Sequence, residues 1–144
     1  MIRVLFVCIH NSARSQMAEA YLNVLGGGRF EARSAGIEPG KLNPVVVEAM
    51  RLDGIDISAN RVKAVEEFID RGEKFDHLIT VCDETAAERC PFVPGTGQRL
   101  HFGFPDPSAL TGSFEEKLAA TIAVRDAIKQ KIILFVGASQ RNAL

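Results

Sequence analysis

The segment Cys8-Ile9-His10-Asn11-Ser12-Ala13-Arg14-Ser15 puts a nucleophile, a fixed cation and two hydroxyls within one loop's length. The bare pair Cys-x5-Arg is a weak signal, arising by accident in roughly one chain in five of this composition. Its setting is stronger. An almost continuous apolar run, Ile2 to Cys8, precedes it and a helical pattern follows. A strand-to-helix turn of this length directs backbone N–H groups and the helix dipole into one concavity, a nest for a tetrahedral oxyanion. Arg14 adds a bidentate clamp on two of its oxygens. The same field favours the thiolate of Cys8, and Ser15 can donate a hydrogen bond to that sulfur. Asn11 suits a left-handed turn and can tie the loop together. Ser15 as a plain helix cap and Asn11 as ordinary turn chemistry are both compatible with this role. His10 reads as a loop residue.

The other thiols are Cys82 and Cys90. An odd count of three, without an export signal, argues against a disulfide framework and turns attention to reactive thiols. The bland alternative is three buried small hydrophobes, the commoner state of an arbitrary cytosolic cysteine.

The elements that position these groups follow from periodicity. Ile2–Cys8 reads as a strand buried on both faces. Met17, Ala18, Tyr21, Leu22 and Leu25 share one face of a helix that Gly26-Gly27-Gly28 stops. Phe30 to Gly36 is a second strand. Asn43-Pro44 opens a helix with Val46, Ala49 and Met50 inward and Gly54 as its stop. Val62, Val65, Phe68 and Ile69 give another, ended by Gly72. Leu78 to Cys82 and Leu100 to Phe104 are the third and fourth strands. Phe114, Leu118, Ile122, Val124, Ile128, Ile132 and Phe135 line a long closing helix, with Arg125 as an intruder that the pattern does not explain. Alternating strands and helices predict an α/β fold with a four-stranded parallel sheet and helices on both faces. Ligands then bind beyond the carboxyl ends of the strands, where Cys8, Cys82 and Asp106 would meet.

The chain has 144 residues, 47% hydrophobic and 24% charged, with a net charge of −1. That size and balance predict one domain over 1–144. A balanced charge offers no global field for nucleic acid or an anionic membrane. The longest strong apolar run, Ile132 to Val136, is too short to span a bilayer, and the N-terminus does not read as a signal peptide. The expected location is the cytoplasm.

With these residues in view, the chain resembles the low-molecular-weight protein tyrosine phosphatase superfamily, and more closely its thioredoxin-coupled arsenate reductases. The resemblance rests on Val4-Leu5-Phe6-Val7-Cys8, Asn11 and Arg14 to Ala20, then on Ser34-Ala35-Gly36, Asn43-Pro44 and Gly54 to Ser58. It continues through Thr80-Val81-Cys82-Asp83, Cys90-Pro91 and His101 to Pro107, nearly the whole chain. It implies that Cys8, Ile9, His10, Asn11, Ser12, Ala13, Arg14 and Ser15 bind arsenate, with phosphate and sulfate as competing oxyanions. Cys8 would attack arsenic and Asp106 act as general acid. Cys82 would then attack the Cys8–arsenic adduct, releasing arsenite and leaving a Cys8–Cys82 disulfide. Cys90 would take over Cys82 and present the new disulfide to thioredoxin. Asn11, Glu19 and Ser34 match positions that bind potassium in some members, and the chain is expected as a monomer. Two departures stand out: Ala13 replaces a second loop cysteine found in many relatives, and seven rather than six residues separate Cys82 from Cys90.

The nearest rival is a tyrosine phosphatase, since phosphate and arsenate are near-isosteric. Those enzymes flank the cleft with aromatics, whereas Ser108 and Ala109 follow Pro107 here, Tyr21 is the only tyrosine, and tryptophan is absent. A non-catalytic oxyanion or zinc module is the third reading, but Cys-x7-Cys is not a usual zinc spacing and His77 would sit near the opposite end of its strand. The segment Asp83 to Arg89 carries good helix formers and predicts a short helix. Along such a helix Cys82 and Cys90 would stand about 12 Å apart. A disulfide needs Cα atoms within about 7 Å, so oxidation must melt it and swing Cys90 toward the surface.

Overall fold

The computed structural model describes residues 1–83 and 88–142, with side chains through residue 139. The helix expected over 83–89 therefore lies mostly outside the described residues.

Four parallel strands, β1 (Ile2–Cys8), β2 (Phe30–Gly36), β3 (His77–Thr80) and β4 (Gln98–His101), form one sheet in the order β2-β1-β3-β4. The order reverses at β1, so the carboxyl end of β1 lies at the switch point where parallel sheets bind ligands. Val4 to Cys8 are all buried because helices cover both faces.

On one face, Val4, Phe6 and Cys8 pack under α1 (Arg14–Leu25), α2 (Pro44–Leu52) and α4 (Phe114–Asn142). On the other, Leu5, Val7, Ala35 and Leu78 pack under α3 (Val65–Asp70) with Phe75, Cys90 and Val93. Ile128 and Ile132 of α4 are fully buried, each contributing about 1.5–3 kcal/mol. The α2 start is as expected: Asn43 Oδ1 accepts from Val45 N, with proline next. Gly54 and Gly72 end the loops after α2 and α3 at φ of 80° and 67°, a left-handed backbone that most side chains resist.

Several boundaries differ from the sequence reading. β3 ends at Thr80 instead of Cys82, and β4 runs from Gln98 to His101 instead of Leu100 to Phe104. The apolar stretch past Thr80 reflects burial, not strand: Val81 and Cys82 both pack on the α1 face, which breaks strand alternation. The third helix starts at Val65, after an extended Ala64, and leaves Val62 outside it. Phe114 is exposed at the outer start of α4.

Arg125 has a clear role. Its Nη1 donates to the Ala49 carbonyl at 2.8 Å, one of the last four carbonyls of α2, which lack a partner within their own helix. The cation also opposes the negative end of that helix. Lys129 and Tyr21 meet on Asp53 Oδ2, at 3.0 and 2.7 Å, tying α1, α2 and α4 together.

Candidate oxyanion site

The loop from Cys8 to Arg14 is shaped by its carbonyls. Those of Cys8, Ile9, His10 and Ser12 accept from the N–H groups of Ile37, Glu38, Gly40 and Asn43, at 3.1, 2.7, 3.0 and 3.0 Å. In a planar trans peptide the N–H points opposite to the C=O, so carbonyls pinned outward turn the amides of Ile9, His10, Asn11 and Ala13 inward. One is directly visible: Asn11 N–H donates to Cys8 Sγ at 3.1 Å.

The α1 N-terminus opens into the same concavity. Its cap residue is Ala13, which supplies no side-chain hydrogen bond. Ser15 is not a cap either. Its Oγ lies 2.9 Å from Cys8 Sγ and accepts from Asn11 Nδ2 at 2.7 Å, so its own proton is free for the sulfur. Two donors thus meet Cys8, together with an uncapped helix end.

Asn11 holds the turn at a φ of 56°, the only left-handed residue other than glycine among the described residues. Its Oδ1 accepts from Gln16 Nε2 at 3.0 Å and from Lys63 N at 2.9 Å. Gln16, fully buried, also donates to the Asn11 and Arg61 carbonyls and accepts from Asn60. Sequence reading missed Gln16, Asn60 and Lys63; an amide in the first turn of a helix was the only available hint. Gly36 was read as a strand end and as part of the Ser34-Ala35-Gly36 resemblance, without a role in the loop. A Cβ there would stand 2.8 Å from the His10 carbonyl carbon and 2.9 Å from Asn11 N, so the loop rests directly on glycine backbone.

Arg14 is 4% exposed. Its Nη1 donates to the Phe104 carbonyl at 3.2 Å and its Nη2 lies 3.6 Å from Asp106 Oδ2. Its Nε is buried without a partner among the described residues. A guanidinium donor buried unpaired costs about 1–3 kcal/mol, and an oxyanion in the loop would satisfy it. Asp106 Oδ1 accepts from Ser108 N at 2.9 Å, capping a 3-10 turn at Pro107–Ala109, and Asn43 Nδ2 donates to Ser108 Oγ. Asp106 is thereby fixed at the cleft rim, partly in solvent. His10 is an exposed loop residue whose Nδ1 meets the Glu38 carbonyl at 2.7 Å.

Cys82 is fully buried on the face that holds Cys8. Burial pushes its thiol up, the Arg14 cation pulls it back, and the Cys8 sulfur is close enough to raise it again. Cys90 is also pushed up by burial, partly offset by Arg99, but it packs on the opposite face. The fold therefore brings Cys8, Arg14, Ser15, Cys82 and Asp106 to one edge and holds Cys90 behind the sheet. Tyr21 lies in the core, bonded to Asp53, away from this cleft.

Glu19 and Ser34 meet at 3.1 Å, Ser34 Oγ donating. The charge facing Glu19 is the Lys63 ammonium, 4.0 Å from Oε1. Burial raises the Glu19 carboxyl and lowers the Lys63 amine, each effect opposed by the other's charge.

A buried thiol in an amide-lined loop, with an arginine and an aspartate beside it, makes a candidate oxyanion site at the carboxyl end of a parallel α/β sheet. Residues 3–141 match the family described as Low molecular weight phosphotyrosine protein phosphatase, and the chain belongs to that family. Within it, the chain is 42% identical to the arsenate reductase of Bacillus licheniformis over 132 residues, 92% of this chain and 93% of that protein. It also superposes on a solved arsenate reductase in the phosphate-binding state, with TM-score 0.78, 27% identity and coverage of 96% and 98%. A Corynebacterium glutamicum thioredoxin-dependent arsenate reductase matches with TM-score 0.62 and 28% identity, over 93% of this chain and 63% of that one.

Proposed function

We propose that this chain is a cytoplasmic, monomeric, single-domain arsenate reductase over 1–144 that uses three thiols and is recycled by thioredoxin. The observation that carries this reading is Cys82, a second thiol buried beside Cys8 and under the same arginine. Hydrolysis of a phosphate ester has no use for it.

Arsenate enters the loop with its oxygens on the inward amides and on Arg14. The Cys8 thiolate forms a sulfur–arsenic bond, and Asp106 protonates the oxygen that leaves as water. The Cys82 thiolate then attacks Cys8 Sγ. The sulfur–sulfur bond forms, the sulfur–arsenic bond breaks, and its electron pair stays on arsenic, which leaves as arsenite. Cys90 exchanges into the disulfide, and the dithiol of thioredoxin reduces it. Phosphate and sulfate compete for the same loop.

Potassium has no step in this scheme. Asn11 Oδ1 already accepts two hydrogen bonds, and Lys63 supplies the positive charge against Glu19, so Asn11, Glu19 and Ser34 do not fit a bound potassium ion. The trio Cys8, Arg14 and Asp106 also suits a small aryl phosphate, so a weak phosphatase side activity is expected.

The test is thiol counting with and without arsenate, coupled to arsenate-dependent NADPH oxidation with thioredoxin and its reductase. Two thiols disappear per arsenite formed. Cys8→Ser gives none; Cys90→Ser completes one turnover and accumulates a Cys8–Cys82 linked peptide pair. Arsenite turnover by Cys82→Ser with thioredoxin overturns the reading.

A further inference from the structure

Cys90 is 7% exposed and set among Leu5, Val7, Val65, Phe68, Leu78 and Val93, surroundings that disfavour a thiolate. Disulfide exchange nevertheless needs the thiolate. The charged groups around it come from several elements. Arg99 reaches over from edge strand β4 and Glu66 from α3, while Glu88 and His101 share with Cys90 and Arg99 a cavity of about 480 Å³. Arg99 Nη2 donates to the Cys90 carbonyl at 3.2 Å, which anchors the guanidinium on that residue's own backbone. The Cys90 thiol itself donates to the Pro91 carbonyl at 3.6 Å, and the guanidinium held beside it favours its charged form, whereas Glu66 acts in the opposite sense. A planar fork can hold backbone and sulfur together; an ammonium is a single point charge.

We propose that Arg99 is the activating cation of Cys90, holding its thiolate ready to attack the disulfide formed by the other two thiols. This rests on the three-thiol reading above. In the step concerned, Cys90 first loses its proton to water. Its sulfur then bonds Cys82 Sγ, the Cys8–Cys82 bond breaks, and Cys8 leaves with the electron pair as the thiolate that its loop is built to hold. No net oxidation occurs.

The test uses the reduced full chain without arsenate. Iodoacetamide labelling of Cys90 and Cys8 is followed by peptide mass spectrometry from pH 6 to 9. Arg99→Gln should slow Cys90 labelling about three- to tenfold at pH 7.5 and move its profile to higher pH. Arg99→Lys should restore part of the rate, and Glu66→Gln should move the profile to lower pH. Phosphate protection of Cys8 should match the parent chain throughout and serves as the check on folding. An unchanged Cys90 profile in Arg99→Gln overturns the proposal. So does faster labelling, which would mean that Arg99 only packs the segment down. Should Arg99→Gln fail the folding check, Arg99→Lys and Glu66→Gln decide, and no shift in either overturns it. Failure of the parent chain to form arsenite would refute the relay while leaving this labelling result readable.

Discussion

Gly36→Ala tests whether the oxyanion loop is held in shape from beneath. The added methyl would stand 2.8–2.9 Å from the His10 carbonyl carbon, Asn11 N and the Ile9 carbonyl oxygen. All three are backbone atoms, and real Cβ contacts of that length are essentially never seen. Gly36 cannot retreat, because it pairs with Cys8 in β1 and its N–H donates to the Lys63 carbonyl at 2.7 Å. The loop must therefore lift by several tenths of an ångström. Overpacking of this kind costs about 1–3 kcal/mol, which for a chain of this length lowers the melting temperature by about 3–10 °C. Function should suffer more, since a misplacement near 1 Å can cost about a hundredfold in rate. Gly40→Ala is the milder comparison: its methyl would meet His10 Cβ at 3.2 Å, a contact that a shift of a few tenths of an ångström relieves and that involves no backbone atom of the loop. The assays are thermal melting, phosphate protection of Cys8 against alkylation, and arsenite formation. Gly36→Ala with the parent's melting point and undiminished phosphate protection would refute the reasoning.

Because burial raises Cys82, its thiolate is scarce at neutral pH, so its alkylation should lag that of Cys8 at pH 7 and climb steadily toward pH 9; a flat profile counts against the buried placement. Tyr21→Phe removes a 2.7 Å hydrogen bond to Asp53 at the junction of three helices and should cost about 1–2 kcal/mol in urea unfolding while leaving arsenite formation unchanged. Hydrogen exchange over residues 83 to 98 should rise sharply once Cys82 and Cys90 are joined, with β1 and α1 still protected. Equal protection of that segment in both redox states would remove the conformational step.

Much of this molecule was legible from residue order. The apolar run of β1, the Asn43-Pro44 helix start and the glycine stops are local signals, and each survived because no tertiary contact competes with it. The loop chemistry was legible too, since Cys8, Arg14 and Ser15 lie within eight positions. What stayed hidden depends on distant partners. Lys63 reaches Asn11 across 52 positions and Arg125 reaches Ala49 across 76, and no periodicity encodes either contact. The strand ends were overextended because burial and β-structure give the same apolar pattern, and Val81 and Cys82 are buried without being strand.

The sheet standing between Cys90 and the other two thiols sets an order in time. In the proposed relay that separation keeps Cys82 from closing onto Cys90 before the chain rearranges, which guards the resting protein against a short circuit that would consume reductant without touching arsenic. Electrons in that scheme leave toward the oxyanion on the α1 face and are replenished from the α3 face, so the chain itself has to carry a sulfur from one to the other. Turnover by the proposed relay then has a mechanical component, the passage of a sulfur from one face of the sheet to the other, in addition to the chemistry of the loop.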